Sequence, residues 1–472
     1  MAIFRRKTNE TKLVFPKRKL NAGLYDVLND ESLINFWKSS TPLSIDAALD
    51  PNTRRRLRAY ARKETANNSY AFGVATAISN AVVGTGPRLQ ILDRLPGDKH
   101  NQAEHDFEDW AQEVNLAEIL RAMRFARVQD GESFGLMYTN EKLSGAVKLG
   151  FMAIDAERVA GEYLKQKPRE VDGITLDEYG VPQSYRILTR HPGDSLLFDW
   201  GGRQRYVQEA KEYPAWQIVH WFRKTTPEQH RGASELAPAL ALFALLRRYT
   251  LAVVTAAETA ADFAAIMYTD SVGDYNAPNY TANPFETVDI ERGLMMTMPD
   301  GWKVSQLKSE QPTTTYESFK RSVLAEIGRA MGVPVNVIMN DSSQYNYASG
   351  RLDMQEFQRQ TRIDQAQTSQ TVIRPIFRQW WREYSLQNDL PRATPKIEVY
   401  WDGSEHVDPD KEAKAQQRRL ASLTTTLAAE YAKQGKDWEH ELAQIARERQ
   451  KMKEYGLTFD EIAPDLVEQN PE

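Results

Sequence analysis

FKRSVLAEIGRAMGVPVNVIMNDSSQYNYASGRLDMQEF, residues 319 to 357, changes character twice. Its first part sets Phe319, Val323, Ile327 and Met331 at four-residue spacing, the apolar face of a helix expected over 312 to 331. An apolar run, GVPVNVIM, comes next, and then a loop, NDSSQYNYASG, at 340 to 350. From Gly350 to about 385 a second helix is predicted, with Phe357, Ile363, Val372, Ile376, Trp380 and Tyr384 apolar and Pro375 kinking or ending its first half. The loop carries one charge, Asp341, two tyrosines and otherwise small amides and hydroxyls. One carboxylate is too few ligands for a metal site, and no base stands in the stretch to activate its serines. Its use lies in what its surface touches.

Upstream, LAPALALFALLRRYTLAVVTAAETAADFAAIMY (236 to 268) reads as a long alanine-rich helix. Ser234 is a candidate cap, Pro238 fits a first turn, and about 30 residues of helix would span ~45 Å. Arg247 and Arg248 split its apolar run, and Glu258 and Asp262 follow, so the segment reads as a soluble helix rather than a membrane span. Residues 271 to 311, rich in Pro, Asn and Thr, suggest a small inserted β-type lobe.

Toward the N-terminus, residues 1 to 50 read as an irregular basic arm. The stretch from Asn52 turns helical, its first half made cationic by Arg54, Arg55, Arg56, Arg58, Arg62 and Lys63. That face is either solvated or turned toward DNA or an acidic neighbour. GTGPRLQIL predicts a turn into a strand; Pro87 and the missing third glycine exclude a dinucleotide fingerprint. A helix pair over 101 to 129 precedes alternating runs, SFGLMYT, AVKLGFMAI, GITLDEYGVPQSYRIL, RYVQEA and AWQIVHWF, with a turn at Asp177 to Gly180. KIEVYWDG predicts a strand. The tail predicts two amphipathic helices, broken at Gly435 and with Asp437 capping the second. The fold class is α+β, with antiparallel strands.

The 472 residues, 41% hydrophobic and 26% charged, are enough for substantial cores. With no cysteine there is no disulfide framework and no thiolate chemistry. A net charge of -5 argues against tight or site-specific DNA binding, which draws on a strong basic balance. Gly131-Glu132-Ser133-Phe134-Gly135 spells the letters of a nucleophile elbow, but a helix precedes it and a strand follows, the reverse of the order that exposes the serine. The seven histidines form no H-E-x-x-H pair, and no P-loop is present. No cofactor, metal or enzymatic activity is expected. The readings to weigh against a binding role are a serine hydrolase using Ser133 and a helical scaffold that passes no DNA.

Several stretches in succession resemble the lambda-type portal proteins of tailed bacteriophages: RKETANNSYAFGVATAISNAVVGTGPRLQ (62 to 90), DGESFGLMY (130 to 138), HWFRKTTPEQHRGASELAPAL (220 to 240), the opening stretch, and residues 406 to 448. The resemblance implies a ring of about twelve subunits at one capsid vertex, the channel for genome packaging and ejection. It implies an α/β wing (51 to 232 and 351 to 409), a helical stem (233 to 270 and 312 to 331), a small β-type clip (271 to 311) and a helical C-terminal crown (410 to 472). The partners implied are double-stranded DNA held non-specifically, the terminase large subunit, a head-tail connector or adaptor, and the major capsid and scaffolding proteins, with no membrane. Localisation would be the virion, after assembly in the host cytoplasm.

On that resemblance residues 332 to 350 are the tunnel loop, and Asn340, Asp341, Ser342, Ser343, Gln344, Tyr345, Asn346, Tyr347 and Ser349 face the channel. A conduit must touch DNA without holding it, and each cation on a phosphate would add salt-dependent affinity. Neutral hydrogen-bonding tips avoid that brake. Gln355, Gln358, Gln360, Gln365, Gln367 and Gln370 extend the same neutral character.

Overall fold

The computed structural model describes residues 41–161, 168–194, 209–261, 265–269, 302–306, 313–403 and 409–457. Most of the basic arm, most of 271 to 311 and the last fifteen residues lie outside this set. The fold mixes helices with small sheets, and among the described residues every strand pairing is antiparallel.

A short helix, α1 (Ile45–Ala48), leads into α2 (Pro51–Asn67) and α3 (Ser69–Val83). Asp50 caps α2 by accepting from the amides of Asn52 and Thr53 at 2.7 and 3.0 Å, with Pro51 in the first turn. The GTG turn delivers the chain to β1 (Arg88–Ile91), which pairs with β11 (Ile397–Tyr400). Thr85 donates its amide and hydroxyl to Asp402, at 2.5 and 2.6 Å, so the turn before β1 is stitched to the segment after β11.

Helices α4 (His100–Glu113) and α5 (Leu116–Asp130) fill the predicted pair. β2 (Glu132–Thr139) follows α5 after one glycine and lies between β3 (Leu149–Ile154) and β8 (Ile218–Phe222). Gly131 has φ 90°, and a Cβ there would sit 2.1 Å from the carbonyl carbon of Ala233, so only glycine allows this approach. A second sheet runs β4 (Glu170–Val171), β5 (Ile174–Leu176), β6 (Pro182–Leu188), β7 (Ala210–Pro214). Asp177 to Gly180 forms the expected turn, closed by the Val181 carbonyl accepting from the Asp177 amide at 2.9 Å.

The alanine-rich helix is shorter than expected. Ser234 Oγ accepts from the Leu236 amide at 3.2 Å and starts a 3-10 turn, Ala237–Ala239, and α6 runs only from Leu240 to Ala261. Residues Ala265–Thr269 form β9 and pair with β10 (Trp302–Gln306). By length and composition alone Ala237–Glu258 is apolar enough to cross a membrane, a property that core helices of soluble proteins share, so the expectation drawn from its charges is not overturned. Here its root is tied to the protein: Phe243 and Leu246 are buried, and Arg247 pairs with Glu64 of α2 at 3.1 Å.

Helix α7 (Thr313–Met331) lies beside α6, with Tyr249 against Tyr316 and Phe319. After α8 (Val335–Met339), α9 (Tyr347–Thr368) continues through a π-turn, Ser369–Ile373, into α10 (Arg374–Gln387). Pro375 is in the first turn of α10, where its missing amide forces the wider turn behind it. The principal core gathers α3, α4, α5, α7 and α10 around Phe107, Trp110, Phe377, Trp380 and Trp381.

Among the described residues the tail has three helices rather than two: α11 (Pro409–Ala421), α12 (Leu427–Lys433) and α13 (Trp438–Tyr455). Leu423 has φ 55° and is 88% exposed, in the turn that separates α11 from α12. Gly435 breaks the next pair with φ 73°, and Asp437 caps α13 at the Glu439 amide, 2.9 Å away.

Glu104 of α4 accepts the Ile91 amide at 2.5 Å beneath the start of α13. Burial, aided by the charges of Asp437 and Glu439, pushes its carboxyl up to about 7. The native state therefore favours the protonated form, and stability falls as pH rises from the ordinary carboxylate value toward 7. Allowing for solvent screening at its exposed edge, Glu104→Gln should remove about 1 to 2 kcal/mol of that decline. Denaturant midpoints at pH 5 and pH 8 check this: the parent should lose stability across the interval relative to the variant.

Candidate functional site

The candidate loop is built from its two flanking helices inward. Gly332 closes α7 with φ 69°, and the Val333 amide returns to the Gly328 carbonyl at 3.0 Å. The apolar run forms the five-residue α8, and Asn340 ends it in the left-handed conformation at φ 51°. Asp341 Oδ1 accepts from the Ser343 amide at 2.9 Å, and the Ser342 carbonyl accepts from the Tyr345 amide at 3.1 Å. These bonds make a tight turn of Asp341 to Tyr345.

Helix α9 begins at Tyr347, not at Gly350 as the glycine suggested. Asn346 is its cap, accepting the Ser349 amide at 2.9 Å, while Ser349 Oγ donates to the Asn346 carbonyl at 3.1 Å. Ser349 is thus a first-turn residue.

Asn340, Ser342, Ser343, Gln344 and Asn346 are exposed; Asp341, Tyr345 and Ser349 are half-buried. The Tyr347 side chain lies outside the description. Two side chains pin the turn to α7: Gln344 Nε2 donates to Glu317 Oε1 at 2.8 Å, and the Arg321 guanidinium lies 5.2 Å over the Tyr345 ring. Burial raises the Tyr345 phenol, with Asp353 adding to the effect. The Ser343 amide, with the Ser343 hydroxyl beside it, holds Asp341 below the ordinary carboxylate range. Below the turn, an open groove of about 530 Å³ is lined by residues including Arg223, Gly328, Met331, Asp353 and Phe357.

The glutamine reading holds only in part. Gln355 and Gln370 are exposed, whereas Gln365 is half-buried and donates to the Ala81 and Val82 carbonyls, each at 3.3 Å. Arg351, Arg359 and Arg362 are exposed on the same helix, so the neutral surface is the turn itself and not all of α9.

The cationic half of α2 is neither wholly solvated nor turned outward. Arg54 and Arg58 are buried, Arg54 paired with Asp172 and Arg58 with Glu132. Arg62 spans Asp130 at 2.7 Å and Asp155 at 2.9 Å. Their four-residue spacing was the available signal, since it puts all three on one face. Arg55, Arg56 and Lys63 do remain exposed.

At the centre of this network Glu132 is fully buried. Its carboxylate accepts from Arg58, from Arg231 Nη2 at 2.7 Å, from the Gly232 amide at 3.0 Å and from His220 Nε2 at 3.0 Å. Burial alone would raise its pKa, but Arg231, the His220 hydrogen bond and Arg58 hold it well below the carboxylate range. Burial lowers His220, which stacks on Phe134 at 4.3 Å. The DGESFG and HRGASEL stretches therefore meet, one supplying the acid and the other the base.

Ser133 points away from this cluster. Strand alternation puts it opposite His220, its register partner is Trp221, and its 2% exposure leaves no path for a substrate. It is the second residue of β2, with a helix before the strand, the order opposite to an elbow.

A family model described as "Phage portal protein, lambda family" matches residues 33–365, well over half of the chain and inclusive of the candidate loop. The chain belongs to the lambda family of phage portal proteins. A curated relative, a "Probable portal protein" of Halomonas phage phiHAP-1, is 21% identical over 439 residues, covering 85% of this chain and 81% of that protein. Among solved structures, the chain is similar to one described as the neck of an empty GTA particle computed with C6 symmetry, at 16% identity and a TM-score of 0.47, covering 79% of this chain and 92% of the other. It is also similar to the neck of a native GTA particle computed with C12 symmetry, at 14% identity and a TM-score of 0.43, covering 82% and 94%. Family membership supports a portal role and neither the hydrolase nor the scaffold.

Proposed function

We propose that the chain forms a ring of twelve copies at one capsid vertex and acts as a passive, non-enzymatic channel for double-stranded DNA during packaging and ejection. In this reading the wing is 51 to 232 with 351 to 409, the stem is α6 with α7, the clip is 271 to 311, and the crown is 410 to 472. The clip would receive the terminase large subunit and later the head-tail connector, with capsid and scaffolding proteins meeting the outer surface. The assembly would form in the host cytoplasm and remain in the virion.

The observation that carries the reading is the turn from Asn340 to Asn346. It exposes amides and hydroxyls, contains no lysine or arginine, and has its one carboxylate bonded to backbone. Such a surface can brush phosphates without gaining the salt-dependent affinity that cations would bring. Purified protein viewed by electron microscopy should show closed rings with a central hole. Monomers, dimers or open assemblies would remove the proposal.

Copies would meet along α6, which leaves Leu245, Leu251 and Val254 exposed in the single chain. Ala252 is exposed while Ala256 is half-buried, so Ala252→Trp reports on the neighbour with the lesser disturbance to its own chain. It should overpack the contact by about 1 to 3 kcal/mol per interface. Native mass spectrometry should then find the ring population reduced; unchanged rings would count against α6 as the contact.

A further inference from the structure

Two arginines of α5 hold two separate parts of the chain at once. Arg124 reaches Glu235 at 3.2 Å and Asp364 at 2.7 Å. Arg127 reaches the same carboxylates at 2.8 and 2.9 Å. Both guanidiniums are buried, and the Arg127 group also lies 5.8 Å from the Trp221 ring centre. Glu235 stands just before the root of α6, and its amide donates to the Val128 carbonyl of α5 at 3.0 Å. Asp364 is near the far end of α9, beside Gln365 with its bonds to α3 carbonyls and the buried Thr368.

We propose that Asp364 is a positioning residue: through Arg124 and Arg127 it fixes the angle of α9 to the root of α6, and so sets where the turn at 340 to 346 stands. The geometry is that of a lever. Asp364 lies seventeen residues after Tyr347, or about 25 Å along the helix, so a tilt of about 10° at the clamp moves the turn by roughly 4 Å. Between these points no residue described before Thr368 is fully buried; Phe357 is half-buried against the principal core, and the turn is attached to α7 at its far end. The consequence for DNA passage rests on the channel reading above; the positioning itself does not.

The absence of cysteine permits a direct test on the full chain. Spin labels at Ser343→Cys and Ala244→Cys report the distance from the turn to α6, and labels at Lys63→Cys and Glu178→Cys form a reference pair away from the clamp. Labelled chains are diluted with unlabelled chains so that only pairs within a chain are read. Asp364→Asn, which keeps the shape and removes the charge, should shift or broaden the first distance by roughly 4 Å. The reference distance should stay as in the parent, and Asp364→Glu should recover part of the narrow distribution. If Asp364→Asn does not fold, Asp364→Glu carries the test, its extra methylene displacing the turn by a smaller amount. An unchanged turn distance in the folded variants, or a reference pair disturbed as much as the first, overturns the proposal. Failure to form rings in an otherwise positive experiment would instead strike at the channel reading.

Discussion

Glu132→Ala should cost about 3 to 5 kcal/mol of stability, because it leaves buried guanidiniums without their counter-charge. Arg231 is fully buried and Arg58 only 3% exposed, so neither can reach solvent without opening the packing around it. Arg231 keeps Asp172 at 3.2 Å, and Arg58 keeps the Asp130 carbonyl at 3.2 Å, which compensates only partly. Glu132→Gln, with the shape retained and the charge removed, should lie between parent and alanine. The same carboxylate predicts acid sensitivity. Its folded pKa is depressed, so its contribution is present above the ordinary glutamate value and is lost as pH falls toward the folded one. Denaturant unfolding at neutral pH decides the matter: an alanine variant within 1 kcal/mol of the parent would mean that the network does not hold the fold together.

That network also marks the limit of what local sequence could show. The four-residue spacing of Arg54, Arg58 and Arg62 is visible in the chain, but their acids are 68 to 118 residues away. Without knowledge of which strand passes α2, a cationic stripe reads as solvent-facing. The same physics explains α6. Alanine-rich sequence gives no stop signal at Ala261, and β9 exists because it pairs with β10 some 37 residues later, Thr269 meeting Trp302 and Ala265 meeting Gln306.

Signals that act within one turn were legible. The DEYG turn, the break at Gly435, the Asp437 cap and the change of helix at Pro375 each stand where the residue chemistry puts them. The candidate loop lies between these cases. Its exposed, cation-free turn was readable from composition, whereas the start of α9 was set three residues late. Asn346 with Ser349 is itself a capping pair, and Gly350 drew attention from it. The Arg321 contact that draws Tyr345 onto α7 depends on how two helices meet and has no local signature.

The corrected geometry sharpens the test of the loop. Ser342→Lys together with Ser343→Lys should leave folding and ring formation nearly intact while slowing genome packaging. Both side chains are exposed, and the turn is held mainly by the Asp341 carboxylate accepting the Ser343 amide and by backbone bonds, the Ser343 hydroxyl adding one bond to that carboxylate. Asn346 is left alone because replacing this cap would cost about 0.5 to 2 kcal/mol and confuse folding with function. Two cations per chain, repeated around a ring, put a positive collar where the parent has hydroxyls. If two phosphates are engaged at a time, their affinity falls about tenfold between roughly 50 and 200 mM salt, so packaging should recover as salt rises. The paired control, Ser342→Gln with Ser343→Gln, adds bulk without charge and should package as the parent does. The measurement is DNA packaged per procapsid at both salt concentrations. A lysine variant that packages like the parent at low salt would place the turn away from the duplex. A glutamine variant that stalls as badly would show that bulk, not charge, governs passage.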